Sequence, residues 1–138
     1  MYTQVYSQFS TLITTKQHGF VEGRSTLTNL INFTSDVIES FKLYKQIDVV
    51  YTDFSKAFDK VDLSILLIKL KNIGIDEILL NWFWSYLYGR IQKVLFNGLT
   101  SEAYRSSSGV PQGSKLGPLL FIIYVSMIYL ILYITLST

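Results

Sequence analysis

Cysteine is absent from the 138-residue chain, histidine occurs once and proline twice. No disulfide framework, thiolate metal site or thiol nucleophile is therefore available. His18 has neither a carboxylate nor a second histidine near it in sequence, which favours a structural or exposed role over catalysis. Acidic residues stop at Glu102, and charged side chains of either sign stop at Lys115. Twelve Lys and Arg stand against ten Asp and Glu, a net charge too small to announce a nucleic-acid partner by field strength. The opening MYTQVYSQFSTLITT lacks a basic n-region and is too rich in hydroxyl and amide groups for a signal-peptide core.

What is present is a hydrophobic share of 49%, with 15% aromatic residues, enough to fill the core of one domain or part of one. Leu27, Leu30, Ile31, Val37, Ile38 and Phe41 recur at helical spacing behind Ser25 or Thr26 as N-cap, predicting a helix over 26–44. Ile47 to Phe54 is β-branched and aromatic and reads as a mostly buried strand. Asp62 and Asp76 are N-caps for two short helices that Gly74 and Gly89 close. Asn97-Gly98 suits the tight turn of a hairpin between IQKVLF and SEAYRSS. GVPQGSKLGP, with three Gly and both prolines, is an irregular loop feeding the apolar run LLFIIYVSMIYLILYITL. That run reaches the roughly 20 apolar residues a bilayer span requires.

Among residues able to carry chemistry, Asp53 ends the predicted strand, where a hard oxygen ligand for Mg²⁺ would stand at a sheet rim. An Asp capping the next turn fits the same position. Asp62 is explained as a cap, and Asp59 as a surface partner of Lys56 or Lys60. The GVPQGS loop lets backbone N–H groups approach a ligand but lacks the Gly-Lys-Ser/Thr ending of a phosphate-cradling P-loop. Trp82, Phe83 and Tyr86, at helical spacing, fit a core better than a base-stacking platform.

Four strings in order, QHGFVEGRST (17–26), VVYTDFSKAFDKVD (49–62), WFWSYLYGR (82–90) and SGVPQGSKLGPLLFIIY (108–124), resemble the reverse transcriptase domain of non-LTR, LINE-type retrotransposons. The resemblance implies an α+β fold: partial fingers and palm of a right-hand polymerase, ending in an apolar C-terminal helix. It divides the chain into a lead-in (1–16), the partial domain (17–124) and a divergent apolar tail (125–138). It also implies RNA-directed DNA polymerase activity, with Mg²⁺, deoxynucleoside triphosphates (dNTP), an RNA template and a DNA primer as ligands. Asp53 matches the metal-binding aspartate, and Phe54 would add a backbone carbonyl. Phe58 would lie under the nucleotide sugar as a gate against a 2′-hydroxyl. Gln112 would stand beside the incoming nucleotide and template, and Gly113 would give the backbone room. Arg24 would contact template or triphosphate, whereas Asp59 matches a structural position.

The departure begins after Tyr124, where relatives continue toward a hairpin with an aromatic-x-Asp-Asp signature and this chain reads VSMIYLILYITLST. Phosphoryl transfer by two metal ions needs several converging carboxylates. The fragment alone is therefore expected to be inactive. The alternative of another class is a small membrane-anchored protein with a span over residues 116–136. A third reading keeps nucleic-acid binding without catalysis, through Arg24, Arg90, Lys93 and Lys115, with steep salt dependence. Location would be nuclear or cytoplasmic for a retrotransposon protein, and membrane if the tail inserts.

Overall fold

The described residues run through helices, then a block of very short strands, then a last helix: α1 (Tyr2–Ser10), α2 (Thr26–Lys42), α3 (Leu63–Asn72), α4 (Glu77–Leu87), β1 (Ile91–Gln92), β2 (Leu95–Phe96), β3 (Leu99–Thr100), β4 (Tyr104–Arg105) and α5 (Leu116–Thr135). This computed structural model describes residues 2–135, with side chains along α5 through Ser126. The mixture of helices and small antiparallel ladders agrees with the α+β expectation. Two compact units result, Met1–Leu12 with Lys56–Thr138, and Ile13–Ser55.

In the larger unit α3 packs on both α4 and α5, and α1 packs on α5. The core gathers Phe9 from α1, Leu66 and Leu70 from α3, Phe83 and Leu87 from α4, and Leu119, Leu120, Ile122 and Ile123 from α5. Consecutive residues of α5 are buried, so the helix is covered on more than one face, and that explains why PLLFIIY carries no polar stripe. The membrane alternative over 116–136 gains nothing. Among the described residues no helix is long and apolar enough to cross a membrane. Side chains from 127 onward, and residue 136 altogether, lie outside the described residues.

Local chemistry sets the helix ends as the sequence predicts. Asp62 Oδ1 accepts from the Ser64 and Ile65 amides at 2.8 and 3.0 Å, satisfying two N–H groups that have no partner inside the helix. At the other end Gly74 takes φ +89°, and the amides of Gly74 and Ile75 bond to the carbonyls of Lys71 and Leu70. This is a complete Schellman closure, with Ile75 and Leu70 both buried. Asp76 caps α4 through the Leu79 amide at 2.8 Å. Asn97 and Gly98, at φ +49° and +77°, turn β2 into β3 with Phe96 opposite Leu99, as the dipeptide requires. Ile91 pairs with Arg105 farther down the same hairpin.

The smaller unit differs. Helix α2 follows the predicted periodicity and is capped by Ser25, yet it buries no side chain; Leu27, Leu30, Ile31 and Phe41 are exposed. The strand expected over Ile47–Phe54 is not formed, and its residues are irregular and exposed. A strand needs a neighbouring ladder to pair its N–H and C=O groups. Among the described residues no strand pairs with this segment, so β propensity alone does not produce one. His18 is 8% exposed; its Nδ1 lies 2.8 Å from Thr28 Oγ1, and Asn32 Nδ2 donates to its Nε2 at 3.2 Å. The imidazole pins the start of α2, in agreement with the structural role read for it.

Candidate functional site

The Gly-rich loop is placed by backbone pairing. The amide of Gly109 donates to the Val61 carbonyl at 2.8 Å and that of Val110 to the Phe58 carbonyl at 2.9 Å, so the loop lies along the FDKV segment. Gly109 permits this approach twice over. Its φ is +84°, and a Cβ there would meet Asp59 Cα, Asp59 O and Phe58 O at 2.8 Å each. Ser108 Oγ donates to the Asp59 carbonyl at 2.8 Å, and Gln112 Nε2 donates to Asp59 Oδ1 at 2.9 Å. Past the loop, Ser114 Oγ accepts from the Gly117 amide at 2.9 Å and donates to the Pro111 carbonyl at 3.0 Å, seating the entry to α5.

Arg90 fastens the other side. Its Nε donates to the Leu87 carbonyl at 3.0 Å, and its Nη2 donates to the carbonyls of Ser108 and Gly109 at 3.3 and 2.5 Å. The guanidinium thus ties the end of α4 to the start of the loop. A cleft of ≈ 660 Å³ opens beside it, with Lys56, Lys60 and Arg90 as cations, Asp59 as the carboxylate, and Gln112 at its wall. Three positive groups against one negative suit a phosphate-bearing ligand.

The predicted site residues fall into two groups. Phe58, Gln112 and Gly113 belong to the larger unit, whereas Arg24, Asp53 and Phe54 belong to the smaller one. Phe58 stacks on Phe121 of α5, with centroids 4.7 Å apart. Gly113 takes φ +76° with no atom near a would-be Cβ, so its requirement is backbone conformation. Close approach falls instead on Gly109, and on Gly117 against the Pro111 carbonyl. Arg24 Nη1 donates to the carbonyls of Thr14 and Gln17 at 2.7 and 2.5 Å, bracing the 14–17 turn. Asp53 is exposed in the irregular 47–54 segment.

Among the described residues no group of three His, Cys, Asp or Glu could hold a metal ion. A two-ion centre needs several converging oxygen ligands, and Asp53 offers one carboxylate, so the donor set does not fit such a centre.

Sequence reasoning missed two parts of this arrangement. Asp59 is engaged by Gln112 and Ser108 where a Lys pair was read, and Arg90 is spent on carbonyls where a nucleic-acid contact was one reading. The Asp59 partners lie about 50 residues away, beyond any local pattern, while Arg90 reaches the loop from the base of the hairpin, where its carbonyl pairs with the Ser106 amide, a side-chain contact that strand patterning does not mark. Of the aromatic cluster, Phe83 is fully buried, while Trp82 and Tyr86 stack on each other at 4.8 Å toward the surface.

Comparison with known proteins converges on one chemistry. The family model described as reverse transcriptase (RNA-dependent DNA polymerase) matches residues 1–133. A probable RNA-directed DNA polymerase from transposon X-element of Drosophila melanogaster is 32% identical over 108 residues, 78% of this chain and 12% of that protein. A probable RNA-directed DNA polymerase from transposon BS of the same fly is 31% identical over 110 residues, 80% of the chain and 12% of the relative. The RNA-directed DNA polymerase from mobile element jockey of Drosophila funebris is 34% identical over 112 residues, 80% and 11% of the two chains. The chain thus spans about 12% of the length of the curated relatives it matches. No solved structure matches it.

Proposed function

This chain belongs to the reverse transcriptase family, the non-LTR resemblance of its motifs agreeing with its transposon relatives, and from that premise we propose that it supplies part of the fingers and palm of an RNA-directed DNA polymerase. The observation that carries the proposal is the docking of the GVPQG loop on the FDKV segment, which puts Gln112 at the wall of a cationic cleft. The ligands are a deoxynucleoside triphosphate and an RNA template paired to a DNA primer. Gln112 contacts the nucleotide, and Gly113 gives the loop the left-handed turn that follows it. Phe58, stacked on α5, forms the floor below the sugar, where an aromatic ring excludes a 2′-hydroxyl. Arg24 is the position that family resemblance implies for a template or triphosphate contact, while its Nη1 braces the 14–17 turn. Asp53, with the Phe54 carbonyl, is the metal-binding position that family resemblance implies for Mg²⁺. Among the described residues no carboxylate group joins Asp53 to complete a two-ion site.

Binding and chemistry are therefore expected to separate. The chain should bind a labelled RNA–DNA hybrid at about 50 mM salt and release it steeply toward about 200 mM, as phosphate contacts do. It should not extend the primer. Absent or salt-independent binding would sink the proposal, and Mg²⁺-dependent extension abolished by Asp53→Ala would contradict the incomplete site.

A further inference from the structure

The 108–112 loop converges on Asp59, whose carbonyl accepts the Ser108 hydroxyl and whose Oδ1 accepts Gln112 Nε2–H at 2.9 Å. A carboxylate can only accept, whereas a carboxamide has one donating and one accepting end. Paired to Asp59, the Gln112 amide turns its NH₂ toward residue 59 and its Oε1 away from it. The backbone of the loop is held independently, by the Gly109 and Val110 amides and by Arg90. The Asp59 side chain is thus left to orient one group.

We infer that Asp59 is a positioning residue that fixes the carboxamide of Gln112, so that Gln112 meets its ligand as an acceptor and selects a nucleotide group that donates, an N–H or O–H. The inference rests on the reading of Gln112 as a nucleotide contact. A ligand lacking the donor would leave Oε1 facing it unpaired, which is how a hydrogen-bonding site discriminates.

The test uses the full chain, side-chain amide NMR, and binding of a deoxynucleoside triphosphate in the presence of an RNA–DNA hybrid. Asp59→Ala should accelerate exchange of the Gln112 NH₂ protons by about fivefold, the scale of one lost net hydrogen bond. The Gly109 and Val110 amides should keep their protection, which shows that the fold is intact. Gln112→Glu sets two carboxylates against each other and should weaken nucleotide binding. Adding Asp59→Asn lets Asn donate to Glu, leaves an outward oxygen acceptor and should recover most of the loss. A residue that merely stabilised the loop would give no such rescue.

Two results overturn the orientation: a Gln112 amide indifferent to Asp59→Ala, or a double variant with protected loop amides that binds no better than Gln112→Glu. If the unaltered chain binds no hybrid or nucleotide while its Gln112 amide still answers to Asp59→Ala, the selectivity falls with the polymerase reading and the orientation stands.

Discussion

The two segments that carry the sharpest motifs, VVYTDF and GVPQG, are handled differently by the fold. Around GVPQG the backbone is paired to Phe58 and Val61, held through Ser108 to Asp59, and clamped by Arg90. Val50 and Tyr51, just before Asp53, are 85% and 82% exposed, and their segment has no ladder. An irregular loop can thus be more firmly placed than an apolar, β-prone stretch, because what fixes a chain is partners for its N–H and C=O groups and cover for its side chains.

Substitution should expose that contrast most strongly at Gly109. Gly109→Ala adds a Cβ against three backbone atoms at positive φ, and is expected to cost about 4 kcal/mol in chemical denaturation, in the range of severe backbone conflicts. Next comes a matched pair: Leu66→Ala, in the sealed core, should cost about 3 kcal/mol, whereas Val50→Ala should stay within about 0.5 kcal/mol. Similar losses at both positions would erase the distinction. Arg90→Ala should lose about 2 kcal/mol by removing the donor to the buried Gly109 carbonyl and untying it from Leu87, and Arg90→Lys should recover only part of it, since an ammonium lacks the planar fork.

The smallest effect is a pH dependence. Burial lowers the pKa of Lys69 from its ordinary 10.5, while its amine donates to the Tyr124 carbonyl and lies 4.9 Å from that ring's centroid. Between the lowered value and 10.5 the unfolded chain binds more protons than the folded one, so stability should rise with pH through that window. Below it the cost of the buried charge is constant. In Lys69→Met the rise should disappear from denaturation curves measured across alkaline pH.

Much of the larger unit was legible in the sequence because its signals are local. Asp62, Gly74, Asp76 and Asn97-Gly98 act within a few residues of themselves, and each stands where its chemistry placed it. Helix α1 had a readable sign, Val5 and Phe9 four residues apart and both buried, but two apolar residues among polar neighbours stay below a periodic pattern. The strand over 47–54 failed as an expectation because pairing is a long-range property. The motifs pointed to Gln112 and Phe58, which the fold sets against Asp59 and Phe121 respectively. The Asp59–Gln112 bond spans 53 residues and appears only once the chain is folded, while the Arg90–Gly109 bond is set by the register at the foot of the hairpin, which the turn alone does not fix.

The most direct measurement is amide hydrogen exchange across the chain, alone and with a bound RNA–DNA hybrid. Slow exchange at Gly109 and Val110 in both states is predicted, with fast exchange over 47–54 that slows when the hybrid binds. Fast exchange at Gly109 and Val110, or a 47–54 segment already protected in the free chain, would contradict a docked loop facing a nucleic-acid substrate.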